Sequence, residues 1–242
     1  MPSATLTTAD STAFDKTQHD AEPRTALGLG LVGALGEELL AALVGSTAYR
    51  VVHVAVKQPI GPATARFHPW IVGDGVVVAD DAFVCLTEDL TVPMSSPIAR
   101  YGPDDVLAAA RIARDCGARR LVLVSPLSAL LQLNAASHTL SSAPEVELLE
   151  AGFDTVLIVR PTAGDERVGG GLRGVARAVS RMVLDIMLPP QVQPLRARTA
   201  AAAILEAVRR AKRGISVIGA RELTAIVEQT MPQSLPRRTR IR

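Results

Sequence analysis

From Thr25 to Gln229 the chain alternates short β-rich runs with stretches of helical periodicity, and this alternation limits its fold more tightly than anything else in the sequence. Parallel strands need long crossovers, and helices are the usual way to make them, so the pattern predicts a parallel sheet covered by helices on both faces. Strands are expected over Ala26–Leu29, Arg50–Val56, Val76–Ala79, Ala82–Leu86, Arg120–Val124, Thr155–Val159 and Ile215–Ile218. Helices are expected over Glu37–Val44, Asp104–Cys116, Pro144–Ala151, Leu172–Leu188, Thr199–Lys212 and Arg221–Gln229, with Gly117 and Gly152 as stops. The fold class is therefore α/β, a doubly wound parallel sheet in three α/β/α layers. With 242 residues, 48% of them hydrophobic, one large core is affordable. Residues 25–232 form the expected domain, between a flexible tail at 1–24 and a basic tail at 233–242.

The inventory removes whole classes of chemistry. Charges of 26 basic and 24 acidic residues are too balanced for a protein that coats nucleic acid, and 3% aromatic residues leave little to stack bases on. The two cysteines, Cys85 and Cys116, make neither a disulfide framework nor a zinc site, which fits a reducing cytoplasm. His19, His53, His68 and His138 are scattered, so no metal site is assigned. The opening segment has no basic region followed by an apolar one, and the apolar stretch Leu27–Val44 is broken by Glu37 and Glu38; neither a signal peptide nor a membrane span is expected. No GxSxG elbow surrounds a serine, so hydrolase chemistry is remote.

The candidate for chemistry is the series Gly28, Gly30, Gly33 and Gly36, set between the first strand and the first helix. Read from Gly28 it is GxGxxG; read from Gly30 it is GxxGxxG. Glycine permits a tight turn and close approach to a pyrophosphate, while the helix start supplies free N–H groups and about half a positive charge. A carboxylate ending the second strand would hold ribose hydroxyls and repel a 2′-phosphate. None is there; the strand runs into Lys57, 21 positions beyond Gly36, so NADP is preferred, with NAD as the alternative.

With these residues in view, the chain resembles the short-chain dehydrogenase/reductase superfamily, in particular its atypical NAD(P)-binding branch of Tat-interacting-protein-like and nitrogen-repression-regulator-like proteins. The likeness spans residues 25–229 of this Rossmann-type pattern. It is carried by the glycine loop, by Asp81-Ala82-Phe83-Val84-Cys85-Leu86, by Val106–Ala110 through Gly117–Ser125, by Gly152-Phe153-Asp154 and by Arg160-Pro161. The resemblance implies that Leu86 and Thr87 lie against the adenosine, Ser125 near the substrate, and Pro161 near the nicotinamide. It also implies a tyrosine and a lysine four residues apart after the serine strand. Those two slots fall on Ser137 and Ser141. Neither Tyr49 nor Tyr101 is in that region, and no lysine lies between Lys57 and Lys212.

A serine hydroxyl starts far above the ~10 of a tyrosine phenol, so loss of the general acid alone forfeits about 10²- to 10⁴-fold in rate. His138 beside the vacant slot, a serine-bound water or the substrate itself would be the substitute proton donor. Three functions follow. The first is an NADP(H)-binding sensor, scaffold or partner subunit without the Tyr/Lys pair. The second is an NAD(P)-dependent oxidoreductase or isomerase acting on a small molecule through His138. The third is an interaction protein whose nucleotide site has decayed, with Leu31, Val32 and Leu35 packing the loop. A protein partner would meet the arginine-rich helices, through Arg173, Arg177 and Arg181 or Arg209, Arg210, Lys212 and Arg213, although both sets also fit solvated helix faces. The nucleotide functions need the glycine turn to be open; plugging by Leu31 or Val32 under a closed cleft mouth would leave packing alone.

Overall fold

Strands that are buried on both faces read as continuous apolar runs, and most strands of this protein do. A computed structural model describes residues 23–61, 64–87, 95–126, 143–148, 150–162 and 195–230. Its centre is one sheet of seven parallel strands: β1 (Arg24–Leu29), β2 (Tyr49–Val56), β3 (Phe67–Ile71), β4 (Asp81–Cys85), β5 (Arg120–Val124), β6 (Thr155–Val159) and β7 (Gly214–Ile218). The spatial order is β3-β2-β1-β4-β5-β6-β7. The direction of winding reverses between β1 and β4, which is where a doubly wound sheet opens its ligand crevice.

Alternate side chains of the strands feed two cores. On one face α1 (Gly33–Gly45), α4 (Ala197–Arg210) and α5 (Ala220–Thr230) pack Leu39, Leu43, Ile204 and Leu223 against Val52, Phe83 and Val122. On the other, α2 (Val106–Asp115) packs Val106, Ala109 and Ala113 against Leu27, Ala82 and Leu121, and the short α3 (Ala143–Glu147) leads to buried Leu148 on the same side. The three-layer doubly wound sheet is thus the observed fold. The expected helix over Leu172–Leu188, with its Arg173, Arg177 and Arg181, lies outside the described residues.

One expected strand is corrected. Val76–Ala79 pairs with nothing as a strand; it belongs to an extended crossover, and the third strand is Phe67–Ile71. Val77 and Ala79 are buried in the core while Val76 and Val78 are exposed, and this alternation imitates a half-buried strand in the sequence. Nine residues, 72–80, carry the chain from β3 to β4 with no helix. Four helical expectations move by a few residues: α1 starts at Gly33 rather than Glu37, α3 ends at Glu147 rather than Ala151, α4 spans Ala197–Arg210 rather than Thr199–Lys212, and a 3₁₀ turn at Pro103–Asp105 precedes α2.

Candidate functional site

The glycine turn is built by its own packing. Gly30 and Gly33 have φ of 71° and 72°, a region other residues rarely enter. A methyl group on Gly30 would overlap the Cys85 carbonyl oxygen, and one on Gly36 would sit 2.6 Å from the Leu31 carbonyl carbon. The turn is therefore pressed against β4 on one side and against the base of α1 on the other. Leu31 is fully buried; it points inward, under α1, where it occupies the space a side chain on Gly28 would need. Leu31 thus fills the floor of the turn, and Val32, 5% exposed, is buried as well.

At the mouth, Val32 is the N-cap of α1, in extended conformation, with no side chain capping the helix and no acid in its first turn. The Val32 N–H is used, donating to the Gly30 carbonyl at 2.8 Å. Gly33, Ala34 and Leu35 are part-exposed and open the helix. This end of α1 favours negative charge through its dipole and its unpaired amides.

The carboxyl ends of the strands bring the other expected residues to the same edge. Lys57 follows β2 with an exposed side chain, Leu86 and Thr87 follow β4, Ser125 follows β5 with its N–H donating to Val159, and buried Pro161 follows β6. His138, Ser137 and Ser141 lie outside the described residues.

No periodicity or motif marks the segment over the crevice. Beyond the last rung of β1, residues 97–99 take up the free edge of β2: the Lys57 N–H donates to Pro97 at 2.7 Å, and the Ala99 N–H donates to Ala55 at 3.1 Å. Ile98 bridges Val56 in antiparallel sense, and Tyr101 bridges Leu86 while accepting the Thr87 N–H at 2.9 Å. The chain thus crosses from β2 to β4 above the end of β1. The Tyr101 ring is buried there, 3.3 Å from where a side chain on Gly30 would start. Burial and the nearby Asp105 carboxylate raise its phenol above the ordinary value. This roof lies over the carboxyl end of β1, between the ends of β2 and β4.

Other titratable groups take structural positions. Burial pushes the Cys85 thiol up to about 12, and burial followed by Asp115 raises Cys116. His53 and His68 meet as partners across β2 and β3, ring edge to face at 5.4 Å, and burial and then His68 lower the pKa of His53. Among the described residues no third ligand joins them. Arg160 and Glu145, both buried, pair at 2.6 Å and tie α3 to the end of β6. Among the described residues no helix is long and apolar enough to cross a membrane.

No protein-family model matches this chain, and no curated protein does. Solved structures do. Pen from Bacillus thuringiensis is 12% identical and matches over 88% of this chain and 77% of its own, with a TM-score of 0.45. The enzyme WbmG of Bordetella bronchiseptica, crystallised with NAD, is 12% identical over 79% of this chain and 80% of its own, with a TM-score of 0.40.

Proposed function

We propose that this protein is an NADP(H)-binding Rossmann protein without the Tyr/Lys proton relay, working as a cofactor-dependent sensor, scaffold or partner subunit. One observation carries the reading: the uncapped, part-exposed N-terminus of α1 follows a positive-φ glycine turn at the reversal point of the sheet. Gly30, Gly33 and Gly36 would admit the diphosphate, Lys57 would pair with the 2′-phosphate, and Leu86, Thr87, Ser125 and Pro161 would line the remainder. NADP(H), when bound, would supply a transferable hydride. The chain's own part would be to orient it and to exclude water, with Ser125 and His138 as the only groups proposed to handle a proton. Pro97–Tyr101 must swing away from β2 before the adenosine can seat, so occupancy and the position of that segment are coupled, as a sensor requires.

A second reading has its own support. Gly28, Gly30 and Gly36 each face atoms of this chain, and the Tyr101 ring fills the space over Gly30. In that reading the turn is used for packing alone and the protein binds other proteins. Titration calorimetry with NADPH separates the two. The first requires a saturable heat that Lys57→Ala weakens; a flat trace at millimolar NADPH leaves the second. Steady NADPH consumption with a carbonyl panel, abolished by His138→Ala, would instead make the protein an oxidoreductase.

A further inference from the structure

At the opposite edge of the sheet, where the strands begin, the chain forms a second concavity of about 270 Å³. Strands of five residues put it roughly 17 Å from the glycine turn. Its walls are charged. Asp81, buried at the start of β4, is engaged through Oδ2, which accepts the Tyr49 hydroxyl at 2.9 Å and pairs with Arg24 at 3.4 Å and Arg120 at 3.6 Å. Asp80 is committed as well, accepting the Thr25 N–H at 2.8 Å.

The arginines are not all matched. Arg119, before β5, and Arg213, before β7, line the basin with exposed guanidinium groups that no acceptor meets among the described residues. Arg120 keeps one N–H on Val208, while its Nε is buried with no partner. Against these stands one uncommitted carboxylate, Asp154. β6 alone separates β5 from β7, so Arg119 and Arg213 start about 10 Å apart and their side chains can converge on a small ligand.

We infer that this basin is a binding site for a compact multivalent oxyanion, phosphate or carboxylate, held between Arg119 and Arg213. Guanidinium groups grip such anions with paired, charge-assisted hydrogen bonds. Asp154 opposes bare anions and favours a ligand that also carries a hydroxyl or ammonium donor. The inference is independent of the nucleotide crevice at the other edge.

Calorimetry in chloride buffer tests it, using inorganic pyrophosphate and citrate as probes on the full chain. The expected result is saturable binding that falls by about tenfold or more in Arg119→Gln/Arg213→Gln, since two charge-assisted contacts are lost. Arg111→Gln/Arg221→Gln, exposed arginines on α2 and α5 outside the basin, matches the change in net charge and should leave binding intact. The stronger probe tells phosphate from carboxylate. Equal affinity in the double variant overturns the assignment, and so does a wild-type trace without heat at millimolar probe. Both arginines are exposed and unpaired, so an unchanged melting temperature of the double variant without probe verifies its fold. NADPH affinity, measured on the same variant, should not move; if it falls while pyrophosphate binding persists, the anion is held elsewhere.

Discussion

At Gly30 the backbone turns through a φ of 71° with the Cys85 carbonyl oxygen lying where a methyl group would be. Gly30→Ala therefore combines left-handed strain with an overlap against backbone, and it should destabilise the fold by about 2–4 kcal/mol in urea unfolding. Asp81 is a different kind of constraint. Its buried carboxylate holds one phenol and two guanidinium groups, and with burial foremost and the carboxylate second it pushes the Tyr49 phenol well above its usual range. Asp81→Ala leaves those partners uncompensated and should cost about 3–5 kcal/mol, whereas Asp81→Asn, which keeps an acceptor, should cost less. Cys85 predicts a null result: a thiol held near 12 in a β-strand should resist alkylation at neutral pH until the protein unfolds.

Among the elements, α4 carries a small acid-sensitive latch. The Arg209 side chain, by hydrogen bonding, and then Arg210 hold the Glu206 carboxyl at about 2, below its ordinary 4.5. A depressed carboxyl contributes stability above its unfolded value and loses it as pH falls from about 4.5 toward about 2. Both arginines are largely solvated, with 68% and 41% of their side chains exposed, so the loss should be under about 1 kcal/mol; Glu206→Gln should remove that part of the acid limb. The elements also differ in how legible they were. β1, β4, β5 and β6 read directly because burial on both faces makes them unbroken apolar runs. β3 did not, because Phe67-His68-Pro69-Trp70-Ile71 is an edge strand, half-buried throughout and interrupted by Pro69. The crossover beside it imitates a strand in sequence because it alternates in burial as one does. The glycine turn was legible since its backbone conformation demands a residue type. The roof was not: Pro97–Tyr101 has no period, and its partners lie on two separate elements, Ala55–Lys57 at the end of β2 and Leu86–Thr87 after β4.

For the molecule as a whole, the question is whether the roof lifts. A protein whose competent form is about one in a hundred binds its ligand about a hundredfold more weakly than the open form would. Tyr101→Ala removes the buried ring over Gly30 and its packing, leaving the roof held only by backbone bonds, so NADPH affinity should rise while stability falls by about 2–4 kcal/mol. If affinity stays undetectable after that change, the roof is a permanent part of the core and the packing role stands. Chemical denaturation and calorimetry on the same variant read both quantities. The passage from β3 to β4 has a quieter consequence. It makes no helical ladder; Asp74, Ala79 and Asp80 donate to carbonyls, and Val77 and Ala79 anchor it from beneath. Its middle amides should therefore trade hydrogen for deuterium sooner than those of the neighbouring strands, and a protease that cuts at Val76 or Val78 would sever the only covalent tie between the outer pair β2–β3 and the strands beyond β1.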